Sequence, residues 1–186
     1  MDPVERALEK VLVVKCQMGD SAALESLFLR HNRPLGYYLR RLLDRDDVGD
    51  VQQEVWLAVV RRIRTLRVPE AFTVWLYRIA RTKALDRLSD RRLAPLDDGP
   101  ACSEHSRRAD TLVDDHEPDL SAADAADIHA AMKTLRPEHR EVLALRFMED
   151  LSYEQIAEVV GCNLGTVRSR LHYAKLALRQ QLEKRS

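Results

Sequence analysis

The chain has 186 residues, with 30 Lys+Arg against 30 Asp+Glu and three cysteines. That length suits one large domain or two small ones, and only 6 Gly and 7 Pro in an Ala- and aliphatic-rich composition favour helices over sheets. No apolar run reaches the roughly 18 residues of a membrane span, and the N-terminal MDPVERALEK has no signal-peptide core. A soluble, cytoplasmic protein without membrane insertion is therefore expected. Cys16, Cys102 and Cys162 are odd in number and far apart, which fits neither a disulfide framework nor a zinc pattern. They read as free thiols, with redox sensing at Cys102 or Cys162 left open. No metal, cofactor or catalytic residue is expected.

Charge is unevenly spread. Residues 1–92 hold 18 Lys+Arg against 13 Asp+Glu, residues 93–127 hold 2 against 10, and residues 128–186 hold 10 against 7. Two basic blocks thus flank an acidic stretch, a pattern compatible with nucleic acid despite the neutral sum.

In the N-terminal block, Asp20 and Ser21 can cap a helix with the stripe Leu24, Leu27, Phe28, His31, Leu35, Tyr38, Leu39 and Leu42. Pro34 is expected to interrupt and kink it. A second helix starts near Asp46 and Asp47, acids suited to a helix N-terminus, with Val51, Val55, Val59 and Ile63 four apart. A break over 66–70, containing Pro69, precedes a helix from about Ala71 to Arg91, whose core candidates are Phe72, Leu76, Ile79 and Leu88. The stretch 93–122, rich in Pro, Gly, Ser and Asp, lacks apolar periodicity and reads as a flexible acidic linker. Its charge is expected to repel free DNA from nearby basic surfaces.

In the C-terminal block, Ile128, Met132 and Leu135 form one stripe. Pro137 suits the first position of a helix, and Val142, Leu143, Leu145 and Phe147 supply apolar faces. Ser152-x-x-Gln155 has the form of a capping box. Gly161 fits a left-handed helix end, and Asn163 can cap the helix that follows. There Val167, Leu171, Ala174 and Leu178 make a stripe to bury, and Arg168, His172, Lys175 and Arg179 make a parallel basic one. Such a helix-turn-helix can dock in a major groove, with its N-terminal residues at base edges and its cations on phosphates.

At these residues the chain resembles a known family. LRPEHREVLALRFMEDLSYEQIAEVVGCNLGTVRSRLHYAKLAL is similar to region 4 of bacterial sigma factors, in particular the extracytoplasmic-function (ECF) group. That motif alone also resembles the DNA-binding domain of LuxR-type regulators. DRDDVGDVQQEVWLAVVRR resembles region 2.2 of the ECF group, and FTVWLYRIARTKALDRLSDRR resembles regions 2.3 and 2.4.

The resemblance implies an all-α protein. Region 2 would span about 10–92 and region 4 would span 125–182, joined by a flexible acidic linker over 93–124 that runs near the RNA exit path of the polymerase. It implies a sigma factor rather than an enzyme. Its partners would be core RNA polymerase, promoter DNA and an anti-sigma factor; on the polymerase, region 2 would meet the β′ clamp helices and region 4 the β flap.

Matched position by position, Asp47, Asp50, Gln53 and Glu54 are expected to face the clamp helices, with ordinary surface charge as the alternative; a metal or acid–base group of Asp46, Asp47, Asp50 and Glu54 is a remote one. Phe72, Trp75, Tyr77, Arg78, Arg81, Thr82, Lys83 and Arg87 are candidates for the −10 element, although Phe72 and Tyr77 suit the core equally well. The break before Ala71 matches the loop that confers base specificity, and Thr82 departs from the usual Asn. For the −35 element, Gly165 and Thr166 offer backbone N–H groups to a phosphate. Arg168, Ser169, His172 and Tyr173 match base-side positions, and Arg170 and Lys175 match phosphate contacts. A stand-alone DNA-binding regulator is one competing reading, which leaves QQEVW and WLYRIA unexplained; an interaction module, such as an inactive sigma-like factor, is another.

Overall fold

The structure is a computed structural model that describes residues 3–93 and 125–184. The acidic segment 94–124, with Cys102 and the expected linker, lies outside the described residues, as does the side chain of Ile128. Every regular element among the described residues is helical: α1 Pro3–Gln17, α2 Ser21–Leu42, α3 Arg45–Arg62, α4 Phe72–Leu93, α5 Ala125–Thr134, α6 Pro137–Phe147, α7 Tyr153–Val160 and α8 Leu164–Glu183. Two 3-10 turns, Ile63–Thr65 and Pro69–Ala71, connect α3 to α4. None of these helices is long and apolar enough to cross a membrane.

Asp20 opens α2, its carboxylate accepting from the backbone N–H groups of Ala22 and Ala23 at 2.9 and 3.1 Å. This satisfies two of the donors that a helix start leaves unpaired. The expected interruption at Pro34 does not occur, and α2 continues through it to Leu42. Packing of α2 against α1, α3 and α4 offsets the backbone bond that proline removes. The predicted i, i+4 series Val51, Val55, Val59 and Ile63 is buried, together with Val13, Leu27, Leu35, Leu39, Phe72 and Leu76. Phe28, expected in the stripe, stays substantially exposed beside the Trp56 ring, with centroids 5.1 Å apart.

One polar cluster sits inside this core. Glu9 of α1 accepts from Thr73 Oγ1 at 3.0 Å and lies 2.8 Å from His31 Nε2. Burial pushes the Glu9 carboxyl up, but His31, Thr73 and Arg30 together hold it below its ordinary value.

In the second half the sequence signals act locally and survive. Pro137 takes the first turn of α6. Ser152 and Gln155 form a reciprocal capping box at 3.2 and 2.9 Å. Gly161 adopts φ +71 at the end of α7, where a side chain would be strained. Val167, Leu171, Ala174 and Leu178 are buried as predicted. Phe147 is the exception, more than half exposed at the end of α6.

The two halves pack against one another, α4 along α7 and α2 along α6. Glu141 of α6 is buried at this seam, accepting from the Tyr38 hydroxyl at 2.9 Å and from Arg81 Nε at 2.8 Å. The Tyr38 and Tyr77 rings meet edge to face at 5.0 Å. Arg78 reaches Glu158 of α7 at 3.1 Å.

Candidate polymerase and nucleic-acid interfaces

The acids at the start of α3 were expected on a polymerase-facing surface. Asp50 and Gln53 are exposed there. Asp47 is not: it is 6% exposed and pairs with Arg91 Nη2 at 2.8 Å and Arg87 Nη1 at 3.9 Å. The C-terminal half of α4 lies over the start of α3, so this carboxylate holds two helices together. Glu54 is half-buried and bridges Lys83 at 3.2 Å and Arg87 at 3.3 Å. Residues assigned from sequence to two different partners thus neutralise one another. Charge pattern alone could not separate them, because α3 and α4 are adjacent in the bundle.

The −10 candidates divide in the same way. Phe72 is fully buried, edge-on to His31 at 5.3 Å, and Tyr77 is fully buried too. Both are core positions, the alternative the sequence left open. Trp75 is half-buried, its ring centroid 6.1 Å from that of Phe72. Arg78 and Thr82 are exposed, and Arg81, Lys83 and Arg87 are half-buried. The Thr82 hydroxyl donates to Arg78 O at 3.0 Å, so its proton is committed to its own helix and it meets a ligand as an acceptor.

Helix α8, expected to read DNA, is capped by Asn163, whose Oδ1 accepts from Thr166 N at 2.7 Å and from Thr166 Oγ1 at 2.8 Å. The Thr166 N–H expected to hold a phosphate is therefore occupied by the cap. Gly165 and Arg168 are exposed, and Ser169 and Arg170 are half-buried, with Ser169 Oγ donating to Thr166 O at 3.1 Å. His172 and Tyr173 meet edge to face at 5.4 Å, Tyr173 being the more exposed. Lys175, expected on a phosphate, is 9% exposed with Nζ 5.6 Å from the Phe147 ring centre.

Sequence reasoning missed the partners of the α3–α4 connection. Gln17 Nε2 donates to Ile63 O at 3.0 Å and to Leu66 O at 2.7 Å. Lys10 lies 2.5 Å from Glu70. Both come from α1, more than forty residues away, and no local signal marks them.

Two family models match the chain in order: Sigma-70 region 2 over residues 27–93 and Sigma-70, region 4 over residues 125–178. The chain belongs to the sigma-70 family of RNA polymerase sigma factors and, with the relatives that follow, to its ECF group. It is 30% identical to the ECF RNA polymerase sigma-E factor of Haemophilus influenzae, across 96% of this chain and 97% of that one. It is 34% identical to the RNA polymerase sigma-H factor of Pseudomonas aeruginosa, across 94% of each. Among solved structures it resembles CnrH, in complex with the cytosolic domain of CnrY, at 21% identity and TM-score 0.65 over 96% of this chain and 99% of that one. It also resembles the sigma factor RpoE of Bartonella quintana, in complex with the anti-sigma factor NepR, at 20% identity and TM-score 0.64 over 86% and 96% of the two chains. At those identities the likeness is one of fold.

Proposed function

We propose that this chain is the promoter-specificity subunit of an RNA polymerase, working in the cytoplasm and carrying no catalysis of its own. Residues 10–92 form the polymerase- and −10-binding unit, 93–124 an acidic tether, and 125–182 the −35-reading unit. The observation that carries this reading is the ordered match of both sigma regions, combined with α8 burying one face and exposing Arg168 on another.

On α3 the exposed Asp50 and Gln53, flanked by Glu54, suit the basic clamp helices. On α4, Trp75, Arg78, Arg81, Lys83 and Arg87 form the aromatic and cationic surface for melted −10 DNA, since bases stack on rings and phosphates seek cations. On α8, Arg168, Ser169, His172 and Tyr173 face −35 base edges and Arg170 a phosphate. Region 4 also docks on the β flap. The overall likeness to a sigma factor solved with its anti-sigma factor supports control of this chain by a partner of that kind.

Run-off transcription by core polymerase, with and without the chain, on fragmented DNA from its own genome is the test. Discrete start sites that depend on the chain are expected. Absence of both transcripts and core binding overturns the reading.

A further inference from the structure

The connection from α3 to α4 is short and heavily braced. Leu66 N donates to Ile63 O at 3.2 Å, and Ala71 N donates to Val68 O at 3.0 Å, closing a turn at each end. Thr65 Oγ1 donates to Arg62 O at 2.7 Å. From outside, one amide nitrogen, Gln17 Nε2, spans the Ile63 and Leu66 carbonyls. Two helical turns earlier on α1, Lys10 holds Glu70 at the far end. Between these clips Arg67 and Val68 face solvent, Val68 at 54% exposure.

We propose that Gln17 is a positioning residue for promoter opening: by gripping the Ile63 and Leu66 carbonyls from α1, it sets the shape in which the 66–70 loop receives an unstacked base of the non-template strand. This rests on the reading of the chain as a sigma factor with its base-receiving loop at that break. The physical case is one of pre-organisation. A loop that reads a base must hold backbone and side chains close to one geometry. The local sequence supplies the two closing turns and the Thr65–Arg62 bond. The remaining freedom is removed by a donor that satisfies two carbonyls at once, on a helix anchored in the core through Val13 and Cys16. Gln17 itself is half-buried beneath the loop and acts through its backbone.

The test uses the full chain with core polymerase on a promoter found by run-off transcription, and on the same promoter carrying each single-base change in the −10 element. Gln17→Met keeps the side-chain length and removes the donor; Gln17→Lys restores one. Gln17→Met is expected to reduce discrimination between the preferred −10 base and its alternatives by about tenfold. It should leave core binding, and transcription from a template already open as a mismatched bubble, unchanged. Gln17→Lys should recover much of the discrimination. A purely structural role for Gln17 would lower output on all templates alike and leave base preference intact, and that result overturns the proposal. Should Gln17→Met fail to fold, Gln17→Glu, which keeps the side-chain size and removes the amide donor, is expected to relax the same preference; unchanged preference there overturns the proposal equally. A wild-type chain that supports no transcription removes the sigma-factor reading, and this proposal with it. Wild-type transcription with undiminished discrimination in Gln17→Met removes the proposal alone.

Discussion

Asn32 shows how much one side chain can hold. Its Oδ1 accepts from Trp56 Nε1 at 3.1 Å and also meets the Gln52 amide. The indole lies between α2 and α3 and is 7% exposed. Asn32→Ala leaves that buried N–H without an acceptor, and urea unfolding should show a loss of about 1–3 kcal/mol. Glu149 presents the opposite case. Burial raises its carboxyl pKa above the ordinary 4.5, outweighing the Tyr77 hydroxyl and His31, which lower it. A group with a raised folded pKa adds stability below 4.5 that is lost as pH rises through the folded value. Near neutral pH the folded chain therefore carries the cost of an ionised, largely buried carboxylate. Glu149→Gln removes that cost, so unfolding midpoints should favour the variant over the wild type more at neutral pH than in acid. An equal difference at both would show that Glu149 does not titrate with a raised value.

At the scale of elements, the turn of the helix-turn-helix depends on the left-handed backbone conformation of Gly161. Nothing lies within 4 Å of a Cβ built on Gly161, so Ala would fit sterically. The strain lies in φ +71, and Gly161→Ala should cost about 1–2 kcal/mol, read in a thermal or urea melt of the full chain. Because this turn sets α7 against α8, −35 binding by the holoenzyme should weaken with it. An unchanged melt would mean the turn can close in another conformation. Cap, turn and stripe were all legible here because each signal acts within four residues of its effect.

At the scale of the whole molecule, buried apolar residues of both halves form one cluster, and polar groups bridge the seam across it. Arg78–Glu158 is exposed on both sides and adds little. The buried Glu141 has two good donors, but its desolvation opposes their gain. The seam engages Arg78 and Arg81, two of the cations proposed for −10 DNA. A double-mutant cycle of Tyr38→Phe and Glu141→Gln in urea unfolding should give a coupling energy of about 0.5–3 kcal/mol. Zero coupling would show that the two side chains do not meet in solution.

By itself the sequence determined the helical class, the order of the two sigma regions, the caps at Asp20, Ser152 and Asn163, the turn at Gly161 and the buried stripe of α8. These depend on residues close together in the chain, or on motifs specific enough to recognise. Only the tertiary structure decided which charged residues remain available. Asp47 and Lys175 follow the same surface pattern as Asp50 and Arg168, but α4 covers the first and the Phe147 ring engages the second. The continuity of α2 through Pro34, the Glu141 contact across the seam and the grip of Gln17 on the 63–66 turn were likewise invisible. Each joins residues whose separation along the chain carries no periodic signal, and their meeting is set by how helices pack rather than by how any one of them forms.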